Sequence, residues 1–235
     1  MRFHAFTAAV AAISALMAAP VQAVVVIDDF NTPQNFSSCN FPGFSYQAGD
    51  MLYGDRLFSG GCSKPAAGGA ITVAGGLASY GAGGISQITV NALYDASLPP
   101  GSGDAKQAVD LTQAGANDRF AMRIMVSNET RFTLSVGSAS ESASLQLDLP
   151  VTAGFVDLAL PFASFSPASA ALWQGVTSVS FQIVDTTVSP GGLFSASGEI
   201  DFIRAVPEPG SIALMLLGLL GLGTLPRRRA QETPR

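Results

Sequence analysis

Hydrophobic residues recur at every second position over much of the chain. Arg131-Phe-Thr-Leu-Ser-Val136 places Phe132, Leu134 and Val136 on one side, and Ala143-Ser-Leu-Gln-Leu-Asp-Leu149 and Val179-Ser-Phe-Gln-Ile183 repeat the pattern. A period of two belongs to a strand with one buried and one wet face, so these segments predict antiparallel strands. Val24-Val-Val-Ile-Asp-Asp-Phe30 is short and β-branched, and Arg119–Val126 alternates Phe120 with Met122 before becoming wholly apolar. Leu77–Tyr80, Ile85–Val90, Gln107–Leu111 and Gly198–Arg204 add further strands, while Ser169–Trp173 predicts the one helical turn.

Between these runs lie breakers such as Leu98-Pro-Pro-Gly101, Ser127-Asn-Glu-Thr130 and Ser189-Pro-Gly-Gly192. Short strands at short intervals predict an all-β fold, an antiparallel β-sandwich of two packed sheets. The glycine-rich stretch Gly60–Gly84 contains the strand-like Ile71-Thr-Val73, so its glycines predict tight hairpins or bulges within one domain rather than a linker between two.

Both ends of the chain depart from this pattern. Arg2 and His4 precede the apolar stretch Ala5–Ala19, and Val21 and Ala23 supply small residues at the −3 and −1 positions. Residues 1–23 therefore predict a secretory signal peptide cut by signal peptidase after Ala23. At the other end Ser211–Leu225 is an apolar run followed by Arg227, Arg228 and Arg229. As a helix 211–225 reaches about 23 Å, short of a hydrocarbon core of about 30 Å. The arginines are a stop-transfer charge that stays cytoplasmic, leaving the domain, residues 24–205, on the far side of the inner membrane.

Export changes the chemistry open to the chain. His4 is its only histidine and lies in the predicted signal peptide, so the mature domain has no imidazole. Serine and cysteine nucleophiles activated by histidine, and histidine zinc sites, are excluded. Residues 24–205 hold fifteen acidic and seven basic residues, a net of −8. Such a domain repels phosphate backbones, which argues against nucleic acid as a partner. The two cysteines, Cys39 and Cys62, allow one intramolecular disulfide in an oxidising compartment.

Acidic residues gather at both ends of the domain, Asp28 and Asp29 in the first strand and Glu199 and Asp201 in the last. If the terminal strands pair, these four oxygen donors suit a structural calcium ion; the alternative is that they point to solvent. Paired carboxylates would also permit glycosidase chemistry without histidine, but nothing in the sequence marks a cleft, and a non-catalytic domain is expected. Tyr53 and Trp173 are the aromatics expected to stack on a sugar, although packing is the ordinary role of such rings.

The tail Val206-Pro-Glu-Pro209, the apolar stretch with Gly218, Gly221 and Gly223, and Arg227–Arg229 resemble the PEP-CTERM family in order, spacing and position. The resemblance covers residues 206–235 and implies sorting by an exosortase, a membrane cysteine protease of Gram-negative bacteria that make extracellular polysaccharide. It assigns Pro207, Glu208 and Pro209 as recognised substrate residues, and implies a membrane-tethered intermediate destined for the cell surface or extracellular matrix. More faintly, Ile27-Asp-Asp-Phe30 and Gly198-Glu-Ile-Asp-Phe-Ile203 resemble the closing strands of jelly-roll, carbohydrate-binding-like modules. Together these features predict an exported binding or structural component of a polysaccharide layer or biofilm. The alternatives are a carboxylate-dependent carbohydrate-active enzyme and an adhesin that contacts protein.

Overall fold

The computed structural model describes residues 24–37, 43–62, 69–82, 88–95, 107–186 and 196–208. The predicted signal peptide, Cys39, Pro209, the apolar run 211–225 and Arg227–Arg229 lie outside these residues. Among the described residues no helix is long and apolar enough to cross a membrane.

Among the described residues thirteen strands form two antiparallel sheets of a jelly-roll-like sandwich. The chain runs β1 (Val25–Asp28), β2 (Gln34–Ser37), β3 (Gly43–Ala48), β4 (Asp55–Cys62), β5 (Gly69–Ala74), β6 (Leu77–Ala82) and β7 (Ile88–Tyr94). It continues through β8 (Asn117–Val126), β9 (Thr130–Ser138), β10 (Ser142–Leu149) and β11 (Val156–Pro161), then a short helix α1 (Ala170–Gln174), β12 (Val176–Asp185) and β13 (Ala196–Pro207). Sheet I has the order β11-β8-β13-β6-β5-β2, and sheet II the order β10-β9-β12-β7-β4-β3. β1 joins sheet I along the later half of β13, with Val25 opposite Ala205, while β6 pairs with the earlier half. The terminal strands are therefore neighbours, the condition under which the acidic residues at the two ends could approach one another.

The core follows from the period of two. Phe120, Met122, Ile124 and Val126 of β8 and Phe132, Leu134 and Val136 of β9 are buried and belong to one cluster filling the space between the sheets. Gly75 and Gly76 both have positive φ, which a two-residue hairpin turn between β5 and β6 requires. Gly198, opposite Tyr80, leaves room for that ring, since a Cβ there would collide with the phenol.

Four strands escape the sequence reading: β2, β3, β4 and β11. β4 buries Asp55 and Arg56, the latter pointing inward, and ends in Ser59-Gly-Gly-Cys62, a composition that does not alternate apolar with polar. Conversely, the strand expected at Gln107–Leu111 reduces to one bridge, Val109 with Val176. Asp110 diverts the chain, its carboxylate accepting the backbone N–H groups of Thr112 and Ala114; such local capture of backbone donors favours a turn over a ladder.

A polar network crosses the core. Arg56 of sheet II is fully buried and donates from Nη1 to Asp28 of β1 at 2.5 Å, from Nε to Gln34 of β2 at 2.7 Å, and from Nη2 to the Thr32 carbonyl at 2.8 Å. Asp28 also accepts from the Tyr94 hydroxyl at 2.8 Å and the Phe30 amide at 2.7 Å. The guanidinium lies over the rings of Phe30 and Phe58. A buried ion pair survives only when its remaining hydrogen-bonding groups are also satisfied, and this network does so by stitching β1, β2, β4 and β7 together across the two sheets.

Candidate functional site

Strand register assembles a row of polar side chains across the outer face of sheet II. Ser59 of β4 lies opposite Asn91 of β7, Asn91 opposite Gln182 of β12, Gln182 opposite Thr133 of β9, and Thr133 opposite Gln146 of β10. Phe44 of β3 completes the row beside Ser59 and is 68 % exposed. Six strands at the usual spacing make this row about 24 Å long. The next row on the same face is Tyr46, Leu57, Leu93, Ser180, Ser135 and Ser144.

Asn91, Gln182 and Thr133 occupy the wet positions of alternating strands, so their neighbours in sequence are core residues: Ala92 beside Asn91, Phe181 and Ile183 beside Gln182, Phe132 and Leu134 beside Thr133. Packing of those residues fixes the backbone under the row. Between the rows lies a depression of about 340 Å³ lined by Ser59, Asn91, Leu93, Thr133, Ser180 and Gln182, among others. Gln182 Nε2 donates to Asn91 Oδ1 at 2.8 Å, leaving the Gln182 carbonyl and the Asn91 amine outside that bond. The depression thus offers uncharged donors and acceptors, with apolar Leu93 in its lining.

A second depression, of about 400 Å³, lies where β9 begins and β10 and β12 end in sheet II. It is lined by Glu129, Thr130, Arg131, Asp148, Leu149, Pro150 and Thr186. Arg131 and Asp148 are register partners and form an ion pair at 2.8 Å within it. That bond raises the Arg131 pKa, so the arginine stays charged.

The sites expected from the sequence fall elsewhere. The four acids do not form a calcium cage: among the described residues no three His, Cys, Asp or Glu side chains come together as a metal site. Asp28 is committed to Arg56 in the core, Asp29 accepts from the Asn31 amide and side chain, Glu199 lies 3.5 Å from the Ser79 hydroxyl, and Asp201 lies 3.5 Å from Arg123. Pairing of β1 with β13 brings the strands together, but each carboxylate meets its own partner first.

Trp173 and Tyr53 are packing residues, not a sugar platform. Trp173, on α1, is 5 % exposed, and its ring stacks on Phe162 at 4.2 Å and 8° with Phe120 and Phe165 against its edges. Tyr53 donates its hydroxyl to the Val176 carbonyl at 2.6 Å, and burial pushes its pKa up. The exposed aromatic of sheet II is Phe44, which the sequence reading did not single out; its position on a strand of Gly-Phe-Ser-Tyr pattern carried no signal that its ring faces out.

Cys62 ends β4, where it lies opposite Ile88. Among the described residues no cysteine is free. Its expected partner Cys39 lies outside them.

The sorting tail begins inside the fold. Pro207 is the last residue of β13 and pairs with Asn117, and Glu208 follows at once, its Oε1 3.2 Å from Arg119 Nη2.

Residues 205–229 match the PEP-CTERM protein-sorting motif. No curated protein matches the chain in sequence. Among solved structures, the family 11 carbohydrate-binding module from Clostridium thermocellum, in complex with a β-1,3-1,4-mixed-linked tetrasaccharide, is similar at 13 % identity and a TM-score of 0.37, over 78 % of this chain and 95 % of that one. The family 30 carbohydrate-binding module of a cellulosomal cellulase of Clostridium thermocellum is similar at 11 % identity and a TM-score of 0.39, over 79 % and 98 %.

Proposed function

We propose that residues 24–205 form an exported, non-catalytic glycan-binding domain, and that the outer face of sheet II is its binding surface. The observation that carries this reading is the row Phe44-Ser59-Asn91-Gln182-Thr133-Gln146, a transverse line of amides and hydroxyls over a 340 Å³ depression, with an exposed ring at one end. Sugar hydroxyls both donate and accept, and Asn, Gln, Ser and Thr do the same without carrying charge. A flat apolar ring beside such groups suits the C–H face of a sugar. Because the first row is uncharged and the domain carries a net −8, the ligand class is a neutral polysaccharide rather than a polyuronate or sulfated chain.

Transport follows from the tail. In this reading signal peptidase removes residues 1–23, the apolar run holds the chain in the inner membrane, and an exosortase processes it at the motif that includes Pro207, Glu208 and Pro209. The domain then resides at the cell surface or in the extracellular matrix. No cofactor is required for binding of this kind.

Retention of the protein on immobilised polysaccharides tests the ligand. Neutral glycans should retain it and acidic ones should not; failure of every neutral glycan at millimolar sugar would leave the adhesin role in place of this one. Sorting is tested by mass spectrometry of the protein from its own host, where an intact terminus at Arg235 would refute processing.

A further inference from the structure

The motif that the tail presents for sorting is not free of the domain. Ala205 of β13 is completely buried, and a single residue, Val206, separates it from Pro207. Val206 lies opposite Arg119 of β8 and Pro207 opposite Asn117, so the first proline of the motif still lies in the sheet. On the other side of β13, Val25 of β1 pairs with Ala205. The strand end is flanked on both edges up to Ala205 and on the β8 edge through Pro207.

Glu208 is held as well. The Arg119 guanidinium takes both oxygens of Asp118, from Nε at 2.8 Å and from Nη2 at 2.9 Å, and the same Nη2 reaches Glu208 Oε1 at 3.2 Å. Its forked bond to Asp118 fixes the plane of the guanidinium, so it meets Glu208 in a set orientation. Arg119 is largely covered, its side chain 17 % exposed, while that of Glu208 is 52 % exposed. The carboxylate is thus docked and yet reachable.

A peptidase that takes an extended segment into its cleft needs that segment detached from neighbouring strands. We propose that Arg119 is a latch on the sorting motif, a positioning residue that keeps Glu208 on the folded domain until a cationic or hydrogen-bonding group of the peptidase takes its place. This rests on the reading of the tail as an exosortase substrate. The latch is weak by design of its setting: a partly exposed ion pair shifts such an equilibrium by up to about fivefold, enough to delay release and too little to prevent it. Recognition of the motif and peeling of the end of β13 become one event, which ties processing to a domain that has already folded around β8 and β13.

The test uses the full chain in its host and, separately, the full chain in detergent. Arg119→Ala should raise the rate of tail processing by up to about fivefold with no change in melting temperature beyond that of an ordinary surface substitution, and Arg119→Lys, which keeps the charge, should restore most of the delay. In detergent, amide hydrogen exchange over residues 205–208 should quicken in Arg119→Ala and not elsewhere. Equal processing rates for the wild type and Arg119→Ala would overturn the latch. If the wild type is not processed at all, the sorting reading fails, and the exchange measurement still decides the latch: unchanged exchange over 205–208 overturns it.

Discussion

Gln182 and Asn91 face each other across β12 and β7 with their amides joined at 2.8 Å, so the centre of the polar row is oriented before any ligand arrives. Gln182→Ala or Asn91→Ala should each weaken retention on a neutral polysaccharide by up to about tenfold, the loss of about one hydrogen bond. Both side chains are on the wet face, so melting should move by no more than about 0.5 kcal/mol in stability. Retention unchanged in both variants would move the ligand off sheet II.

Arg56 and Asp28 are expected to be the most sensitive charged pair in the fold. Arg56→Ala leaves the Asp28 carboxylate buried without its counterion and should cost about 3–5 kcal/mol. Combining Arg56→Met with Asp28→Asn should cost less than the sum of the single changes, because neither variant group then buries an uncompensated charge. Urea denaturation of the four proteins closes that cycle, and strict additivity would mean that the two side chains do not interact.

Trp173→Ala should lower stability by about 3–5 kcal/mol, through the cavity left between Phe162, Phe165 and Phe120. The folded fraction should bind glycan as the wild type does. A loss of affinity without a loss of stability would return Trp173 to the binding surface.

Tyrosine ionisation should accompany alkaline unfolding. Burial raises the pKa of Tyr53, Tyr80 and Tyr94, with Tyr80 pushed up to about 12 by burial and by Asp185 nearby. A phenol whose pKa is higher in the folded state contributes its stability in full below pH of about 10 and loses it as the pH climbs toward 12. For Tyr80 that loss is on the order of 3 kcal/mol. Tyrosinate absorbance should therefore rise together with loss of the near-ultraviolet dichroism, and Tyr80→Phe should shift the alkaline transition to higher pH.

We expect Cys39 and Cys62 to be joined in the exported protein. Peptide mapping without reductant should recover the linked pair, and reduction should cost roughly 3 kcal/mol if the bond acts by restricting the unfolded chain. Recovery of both peptides unlinked would remove the bond.

The alternating segments were legible because burial on one face imposes a period of two, and β8, β9, β10 and β12 lie where that period places them. β3 and β4 were hidden because their inward positions hold Ser45, Gln47, Arg56 and Gly60, with buried Phe58 as the apolar exception. β11 alternates, but it is an edge strand ending in Pro161, with Leu160 its one buried residue. The calcium grouping failed for a related reason: Asp28 was visible, whereas its partner Arg56 comes from the opposite sheet, 28 positions away. The polar row is the least legible feature. Its members are ordinary solvent-side residues of strands far apart in the chain, and only the register between strands lines them up.

The placement of β13 also decides how the domain answers a pull. β13 lies inside sheet I, laddered to β8 along nearly its whole length and to β6 and then β1 on its other edge. Tension applied at Pro207, against a load carried on sheet II, acts along the axis of this strand and strains its ladder bonds together in shear. A force directed across the strand would open them one after another from the end. The chain leaves the sandwich by a strand paired on both edges, so the domain resists being drawn out along that strand even while Glu208, just beyond it, is weakly held.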